Sequence, residues 1–494
     1  MLWYGFILYV LFFFTLYFFI VFILRILYNT TSDRSHIYLF ITKLTLSFFI
    51  FFSFIALINT YYVFDLFSHF VFLHNPSDAS ISYIDQISAD FLFTLTANNF
   101  NLLFIYYFPF TYIFVLITIL SILFCLAYSI NELIIFMFYC TVILIAGYIL
   151  FFTDSLILFF IAYEMLLIPS FFILYKFAKT RRCIEAAYLM FFWTQFGALF
   201  LIVSFLYLFF LCGSSSFWVI SNFQFSGFEV NFFFMCWIIG FGVKLPIWPF
   251  YGWLPKAHVE ASTNFSIFLS GVLVKFAFFG LLKCLITLQA EPTFFYIYPF
   301  LVIGVVDAVF KLFYQIDLKK LVAYSTVVEM HWLTMCVISG QSCLMLASFC
   351  MLISHALLST NSFLIVDAIN RRFKTRLITE VSGINFLCPK LFLCALVNCL
   401  IFLGFPGSIF FIAEFLFFSF FFDLFPLLCL FLITLLYFLG PTFFFRSWMN
   451  ILFGLSINIH KTIPLDLSSK EIIIYGGLLL LMFWLGATWQ MFIF

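Results

Sequence analysis

The chain has 494 residues, of which 66% are hydrophobic and only 9% are Asp, Glu, Lys or Arg. A soluble domain carries about 25% charged residues, so this composition excludes an ordinary soluble protein and predicts a polytopic membrane protein. The net charge is +1, and the sequence has no basic cluster interleaved with aromatic residues. This argues against a nucleic-acid partner. The 13 cysteines are scattered without a Cys-x-x-Cys motif, so we expect no metal or redox centre in this chain.

Apolar runs of about 20 residues, long enough to cross a bilayer, predict an all-α fold with about fourteen transmembrane helices. The runs cover roughly 4–27, 39–61, 102–127, 131–152, 154–176, 187–211, 230–251, 262–285, 293–314, 318–339, 341–366, 391–422, 425–445 and 471–492. We divide the chain into 1–130 with helices 1–3 and a polar loop at 62–101, 131–285 with helices 4–8, 293–445 with helices 9–13, and 446–494 with helix 14.

The first 27 residues are apolar over too long a run for a signal peptide, so we expect a retained helix. The 85 phenylalanines are typical of AT-rich organelle genes. Of the 22 Lys and Arg residues, all but Lys244, Lys275, Lys283 and Lys311 lie in loops after odd-numbered helices or at the ends of those loops. The positive-inside rule therefore places these loops in the matrix or cytoplasm and both termini on the opposite side.

Four charged residues stand alone in the middle of apolar runs: Glu164, Lys244, Lys275 and Glu414. A charge at the bilayer centre costs about 2.5–3.5 kcal/mol, so such residues face the bundle interior or a water-filled path. Two acids and two lysines at this depth indicate a device that conducts protons. In the alternative interpretation, they are static members of ion pairs that fix helix packing.

Predicted helices 7 and 12 each contain a cluster of helix-breaking residues beside one of these charges. Proline has no backbone N–H and interrupts the helical ladder. The clusters are Gly240, Gly242, Pro246 and Pro249 around Lys244, and Gly404, Pro406 and Gly407 before Glu414. Broken helices at matching positions predict two repeats with the transport site at the breaks, although ordinary proline kinks remain an alternative.

These charges suggest a sequence of proton transfers. Burial disfavours the charged form of a lysine, whereas a nearby carboxylate favours it. Movement of Glu164 would therefore load and unload Lys244, and Lys275 would pass the proton through water to Glu414. We predict a mutually neutralising pair of Asp307 and Lys311, four residues apart on one helical face, unless Lys311 extends to the interface instead.

His355 lies mid-helix among hydroxyl and amide side chains, and either a packing role or a proton relay is open for it. The polar neighbours are Ser354, Ser359, Thr360 and Asn361. Glu329 and His331 are two residues apart, so their side chains leave different faces of the helix.

Residues 242–261 read Gly-Val-Lys-Leu-Pro-Ile-Trp-Pro-Phe-Tyr-Gly-Trp-Leu-Pro-Lys-Ala-His-Val-Glu-Ala. This segment resembles the antiporter-like subunits of respiratory complex I, and among them the subunit 4 family of NADH dehydrogenase. Further matching stretches lie at 163–169, 274–276, 315–325, 404–407, 413–415 and 466–471, whereas the first hundred residues match poorly. The resemblance implies fourteen helices, two inverted five-helix repeats and broken helices 7 and 12.

The family's proton-transfer residues fall on Glu164, Lys244, Lys275 and Glu414, and His355 also falls on a family position. The family often has histidine where Tyr251 and Glu329 stand here. A proton path past Tyr251 would use a phenol or water, and we expect Glu329 to serve as a relay carboxylate. The usual proline and small residue at the start of helix 8 are replaced by Ser262 and Phe265.

The resemblance further implies a proton-translocating membrane-arm subunit of NADH:ubiquinone oxidoreductase in the mitochondrial inner membrane, with the basic loops in the matrix and both termini in the intermembrane space. We expect NADH, FMN, iron–sulfur clusters and ubiquinone to bind other subunits, and no cofactor to bind this chain. The expected partners are the antiporter-like subunits 2 and 5 and lipids such as cardiolipin. A subunit of a multi-subunit sodium/proton antiporter and a purely structural subunit are the alternatives.

Overall fold

The computed structural model describes residue 117 and residues 130–177, 180–288, 295–454 and 466–488. Predicted helices 1 and 2 and the polar loop 62–101 lie outside these residues, and so does helix 3 apart from residue 117. Contacts divide the chain into two units, Met1–Asp78 with Cys125–Ile135 and Ala79–Phe124 with Phe136–Phe494. Only the start of one helix, from Ile130, is described in the first unit.

The described part of the chain is all-helical, as predicted. Its first half contains nine helices. They are α1 (Ile130–Phe152), α2 (Leu156–Met165), α3 (Leu167–Lys176), α4 (Arg181–Cys212), α5 (Phe217–Ser221), α6 (Gly227–Lys244), α7 (Trp253–Glu260), α8 (Thr263–Phe268) and α9 (Val274–Leu288). A 3-10 turn, Phe250–Gly252, precedes α7, and a π-helical turn, Leu269–Leu273, joins α8 to α9.

Nine further helices follow a 3-10 turn at Phe295–Ile297. They are α10 (Tyr298–Phe313), α11 (Leu318–Ile338), α12 (Ser342–Phe373), α13 (Ile384–Leu387), α14 (Pro389–Phe402), α15 (Ile409–Leu424), α16 (Pro426–Ile433), α17 (Gly440–Phe453) and α18 (Ser469–Ala487). A second π-helical turn, Thr434–Leu439, joins α16 to α17.

Six helical stretches in the described residues are long and apolar enough to cross a membrane. The most apolar part of the stretch from Thr263 to Leu288 is wholly buried, and those of α11 and α12 are nearly so, whereas only a third of that part of α4 is buried. α11 packs on α10 and α12, α12 packs on α15, and α4 packs on α6. The central helices of the second unit therefore carry Lys275, Glu329 and His355.

Both predicted helix breaks are present. α6 ends at Lys244, and the chain is irregular until the 3-10 turn at Phe250. α14 ends at Phe402, and Gly404 and Gly407 then adopt left-handed conformations that residues with a Cβ rarely adopt. The hydroxyl of Ser408 accepts a hydrogen bond from the N–H of Phe411 and so caps the N-terminus of α15. The inverted symmetry of the two repeats stays a prediction.

The predicted crossings 154–176, 262–285 and 425–445 are helical, but each contains an irregularity that the sequence did not reveal. The first divides at Leu166 between α2 and α3, and the other two contain the π-helical turns. Pro169, in the first turn of α3, has no N–H to continue the ladder from α2. π turns occur frequently at functional sites. Ser262 caps α8 by accepting from the N–H of Phe265, and the Phe265 side chain is fully buried.

Candidate functional site

Lys244 is the last residue of α6, and its side chain is buried with 2% of its surface exposed. Its Nζ donates to the backbone carbonyl of Tyr163 at 2.9 Å and lies 3.3 Å from the centre of the Tyr163 ring. The Tyr163 hydroxyl in turn donates to the carbonyl of Gly240 at 3.2 Å. The ammonium group is therefore held by a carbonyl and an aromatic face beside the helix break.

Glu164, the carboxylate that the sequence predicts to act on Lys244, binds a different partner from the lysine. The Oε2 atom of this half-buried residue accepts from Gln195 Nε2 at 2.8 Å, and Oε1 has no hydrogen-bond partner in the described part of the chain. Lys244 instead binds the carbonyl of the preceding residue, Tyr163. Glu164 therefore acts on the charge of Lys244 across a gap.

Lys275 is the second residue of α9 and is completely buried. Its Nζ donates to the carbonyl of Ser270, which lies within the π-helical turn. A π turn leaves carbonyls out of the regular α-helical pattern, so this irregularity supplies the lysine with an acceptor. Glu329 on α11 is the carboxylate that interacts electrostatically with Lys275.

Glu329 and His355 meet between α11 and α12. Glu329 Oε2 and His355 Nδ1 are 2.8 Å apart, and only 5% and 2% of their side-chain surfaces are exposed. The predicted relay carboxylate and the mid-helix histidine therefore form one buried pair. Lys275 acts electrostatically on both members of the pair.

The hydroxyl groups predicted around His355 are buried but bond mainly within α12. Ser354 donates to the carbonyl of Met351 at 2.9 Å, and Thr360 donates to the carbonyl of Ala356 at 2.7 Å. Asn361 is the exception, because its Nδ2 donates to Asn398 Oδ1 on α14 at 2.9 Å. These contacts assign the hydroxyls to their own helix and give no direct bond from them to the His355 ring.

Glu414 lies on α15 and is half-buried. Its Oε2 accepts from the hydroxyl of Tyr437 at 2.9 Å, and Tyr437 belongs to the second π turn and is 42% exposed. An added Cβ on Gly404 would be 2.6 Å from the same Oε2. The second broken helix therefore leaves room for the Glu414 carboxylate.

The ring of His331 binds the backbone of the segment that follows the first helix break. Its Nε2 is 2.8 Å from the backbone N of Trp248, and its Nδ1 is 2.7 Å from the carbonyl of Val327. Since Trp248 N–H can only donate, Nε2 must be the acceptor, and Nδ1 therefore carries the proton that it donates to Val327. His331 in this arrangement is neutral, and its ring satisfies a backbone donor freed by the break.

The predicted pair of Asp307 and Lys311 is confirmed, with Lys311 Nζ and Asp307 Oδ2 2.8 Å apart. The pair has an additional member that the sequence did not reveal. The hydroxyl of Tyr251 donates to Asp307 Oδ2, and Lys311 Nζ lies 2.5 Å from the same hydroxyl. We call these three residues the Tyr251 triad.

Three segments hold the C-terminal end of α7. Lys319 Nζ donates to the carbonyl of Ala261 at 2.9 Å, and Arg376 Nη1 donates to the carbonyl of Val259 at 3.0 Å. The thiol of Cys183 reaches the carbonyl of Glu260 at 3.3 Å. Cations near the C-terminal carbonyls of a helix are stabilising, so these contacts fix the helix that follows the first break.

A family model described as NADH:quinone oxidoreductase/Mrp antiporter, TM matches residues 153–440. The chain belongs to this family. The sequence is similar to NADH-ubiquinone oxidoreductase chain 4 of Paramecium tetraurelia, with 37% identity over 67% of this chain and 70% of the relative. It is 31% identical to the protein of the same name from Marchantia polymorpha over 74% of this chain and 73% of the relative.

Two solved structures share the fold of this antiporter-family chain. Respiratory complex I from Thermus thermophilus with bound NADH contains a chain that matches with a TM-score of 0.65 and 20% identity, over 78% of this chain and 80% of that one. The Mrp complex from Dietzia sp. DQ12-45-1b matches with a TM-score of 0.68 and 14% identity, over 78% and 81%. The chain is a multi-pass membrane protein of this antiporter-like fold.

All six predicted site residues lie inside the matched region of the family, but the sequence did not single out three buried polar residues. Lys319 and Lys283 bind backbone carbonyls, and Lys283 Nζ lies 3.3 Å from the carbonyl of Phe151 near the end of α1. His258 is fully buried and stacks on Phe363, and its ring nitrogens have no hydrogen-bond partner among the described residues. Their positions beside loops or in a short helix concealed their burial.

Proposed function

We propose that this chain is a proton-translocating subunit in the membrane arm of an NADH:ubiquinone oxidoreductase. One observation carries the proposal. Lys244 and Lys275 are both buried, and within residues 130–177, 180–288, 295–454 and 466–488 they hydrogen-bond only to backbone carbonyls. A buried cation without a contacting carboxylate is costly, so it is more easily explained by proton transfer than by stability.

We infer that the titratable residues act in sequence. Glu164 interacts electrostatically with Lys244, Lys275 interacts with the pair of Glu329 and His355, and Glu414 interacts with Glu329. We infer that protons pass from Lys244 through Lys275 and the central pair to Glu414. Water would bridge the gaps between groups that do not touch.

Electron transfer in other subunits would drive the cycle. A change in the charge or position of Glu164 would alter the stability of the ammonium form of Lys244, because the two residues interact across a gap. Lys244 would then release its proton toward Lys275. The unpartnered Oε1 of Glu164 supports this role, since a carboxylate with one free oxygen can accept a new donor without breaking its bond to Gln195.

The relatives named NADH-ubiquinone oxidoreductase chain 4 support a place in that complex. We propose the mitochondrial inner membrane as the location, with the basic loops in the matrix and both termini in the intermembrane space. NADH, FMN, iron–sulfur clusters and ubiquinone would bind other subunits. The antiporter-like subunits 2 and 5 would be direct neighbours, cardiolipin is a candidate lipid, and the two inverted repeats would place the breaks at equivalent depths.

The test is proton pumping by the intact complex in vesicles, measured together with NADH oxidation. Lys244→Ala and Glu164→Ala should depress quinone-linked pumping while leaving NADH oxidation by an artificial acceptor nearly unchanged. Lys256→Ala is a matched control, because Lys256 is a lysine on α7, the helix that follows the break after Lys244, and lies outside the proposed sequence of groups. Full quinone-linked pumping by both site variants would refute the assignment.

A sodium/proton antiporter subunit is the second candidate, and the likeness in fold to a chain of the Mrp complex supports it. The discriminating measurement is purification of the native complex with identification of its partners. Sodium-dependent proton exchange without NADH oxidation would favour the antiporter. Co-purification with flavin and iron–sulfur subunits would favour the oxidoreductase.

A further inference from the structure

α10 passes very close to the segment that follows the first helix break. An added Cβ on Gly304 would be 2.7 Å from the Cβ of Trp248, and it would also overlap the ring of His331. Only glycine permits this approach. Asp307 and Lys311 follow Gly304 by three and seven residues, so they share its helical face and are directed at the same segment.

The Tyr251 triad connects this segment with the surface of the described chain. The Tyr251 side chain is 3% exposed, Asp307 is 32% exposed and Lys311 is 44% exposed. The three groups are joined by hydrogen bonds among all members. A connected set of groups therefore runs from the half-exposed Lys311 ammonium to the buried phenol of Tyr251, seven residues beyond Lys244.

Two further titratable groups face Tyr251. The ring of Tyr324 on α11 is 6.4 Å from the Tyr251 ring, and the neutral ring of His331 is 6.1 Å from it. Asp307 and Lys311 on α10 are the charged groups in contact with the phenol. An ion pair that served only to hold α10 would need no phenol between its charges and the interior.

We propose that Tyr251, Asp307 and Lys311 form a proton inlet from the surface near the end of α10 to the break that follows Lys244. This inference rests on the proposed function. The Tyr251 hydroxyl turns away from Asp307, its oxygen takes a proton from Lys311 Nζ, and it releases its own proton to a water molecule on the inner side. Lys311 then takes a proton from surface water. Asp307 stabilises the positive charge throughout, so one proton moves inward without net change in the triad.

The test uses the intact complex in vesicles with Tyr251→Phe and Lys311→Met. Tyr314→Phe is the matched control, since it removes a phenolic hydroxyl from the same end of α10 at a side chain that is 75% exposed. We expect pumping to fall about tenfold or more in both inlet variants, because positioned proton-transfer groups contribute about 10²–10⁴-fold. Assembly on native gels and NADH oxidation by an artificial acceptor should match the control.

Tyr251→His distinguishes a proton-transfer role of Tyr251 from a purely structural role, because imidazole also transfers protons but titrates at a different pH from phenol. We expect this variant to pump with an altered pH profile. Pumping by Tyr251→Phe equal to that of Tyr314→Phe would overturn the inlet, and so would failure of Tyr251→His in an assembled complex. Lys244→Ala separates the two hypotheses: if it alone abolishes pumping, the inlet is wrong and the proposed function stands. If both it and Glu164→Ala pump normally, the proposed function fails.

Discussion

Replacing Gly404 with alanine tests the role of Glu414 without removing its carboxylate. The new Cβ would be 2.6 Å from Glu414 Oε2, so the oxygen must retreat by about 0.8 Å to reach an ordinary contact of 3.4 Å. The bond from the Tyr437 hydroxyl is 2.9 Å long, and a retreat of this size directed away from the hydroxyl would stretch it to about 3.7 Å, beyond hydrogen-bond range. The substitution therefore changes the position and partner of the carboxylate and keeps its chemistry.

The magnitude follows from the lost bond. A hydrogen bond to Glu414 in its charged, carboxylate form contributes about 1.5–3 kcal/mol. If the transition state for proton transfer at Glu414 depends on that bond, pumping falls about tenfold to a hundredfold, since about 1.4 kcal/mol corresponds to a factor of ten in rate. The left-handed backbone adds about 1–2 kcal/mol of destabilisation for any residue with a Cβ.

Gly407→Ala is the control for backbone strain. Gly407 also has a positive φ, +91° against +72° for Gly404, but its added Cβ would lie 3.9 Å from Phe483, an ordinary contact. Both variants should lose stability in thermal melts of the purified complex. Only Gly404→Ala should lose proton pumping per NADH oxidised. Equal pumping by the two assembled variants would refute the role assigned to the Glu414 position.

Three further substitutions test the packing around the site. His355→Leu leaves the buried Glu329 carboxyl without its hydrogen-bond partner and should destabilise the complex by about 1–3 kcal/mol in a thermal melt; an unchanged melting temperature would contradict a bonded pair. Gly304→Ala should cost about 1–3 kcal/mol through overlap with the break, whereas Gly476→Ala, which has open space, should not destabilise. Ser468→Ala should cost about 1 kcal/mol by removing a capping box, and an unchanged melt would exclude that contribution.

Helix breaks and buried charges could be predicted from sequence because their signals are local. Proline and glycine interrupt helices wherever they occur in an apolar run, and a lone lysine such as Lys244 is conspicuous against its neighbours. The pairing of Asp307 with Lys311 was also accessible, because residues four apart share one helical face. These properties depend on the chain itself and on the bilayer.

Partners from distant segments could not be predicted in the same way. Nothing in the sequence places the Tyr163 carbonyl under Lys244, or Tyr251 between Asp307 and Lys311, because these contacts join residues about 60–80 positions apart. The π turn before Lys275 was missed as well, since Leu-Ser-Gly-Val-Leu at 269–273 is compatible with a regular α-helix. The sequence therefore identified the charged residues, and the fold supplied their neighbours.

The bond between His331 and Trp248 has a consequence for the first break. Nε2 can accept the backbone N–H only while it carries no proton. A proton that binds this atom converts the acceptor into a donor and breaks the hydrogen bond from the Trp248 N–H. The protonation of His331 and the conformation of the backbone at Trp248 are therefore coupled. Any influence that opens the segment raises the affinity of His331 for protons, and by reciprocity each proton bound there favours the open segment.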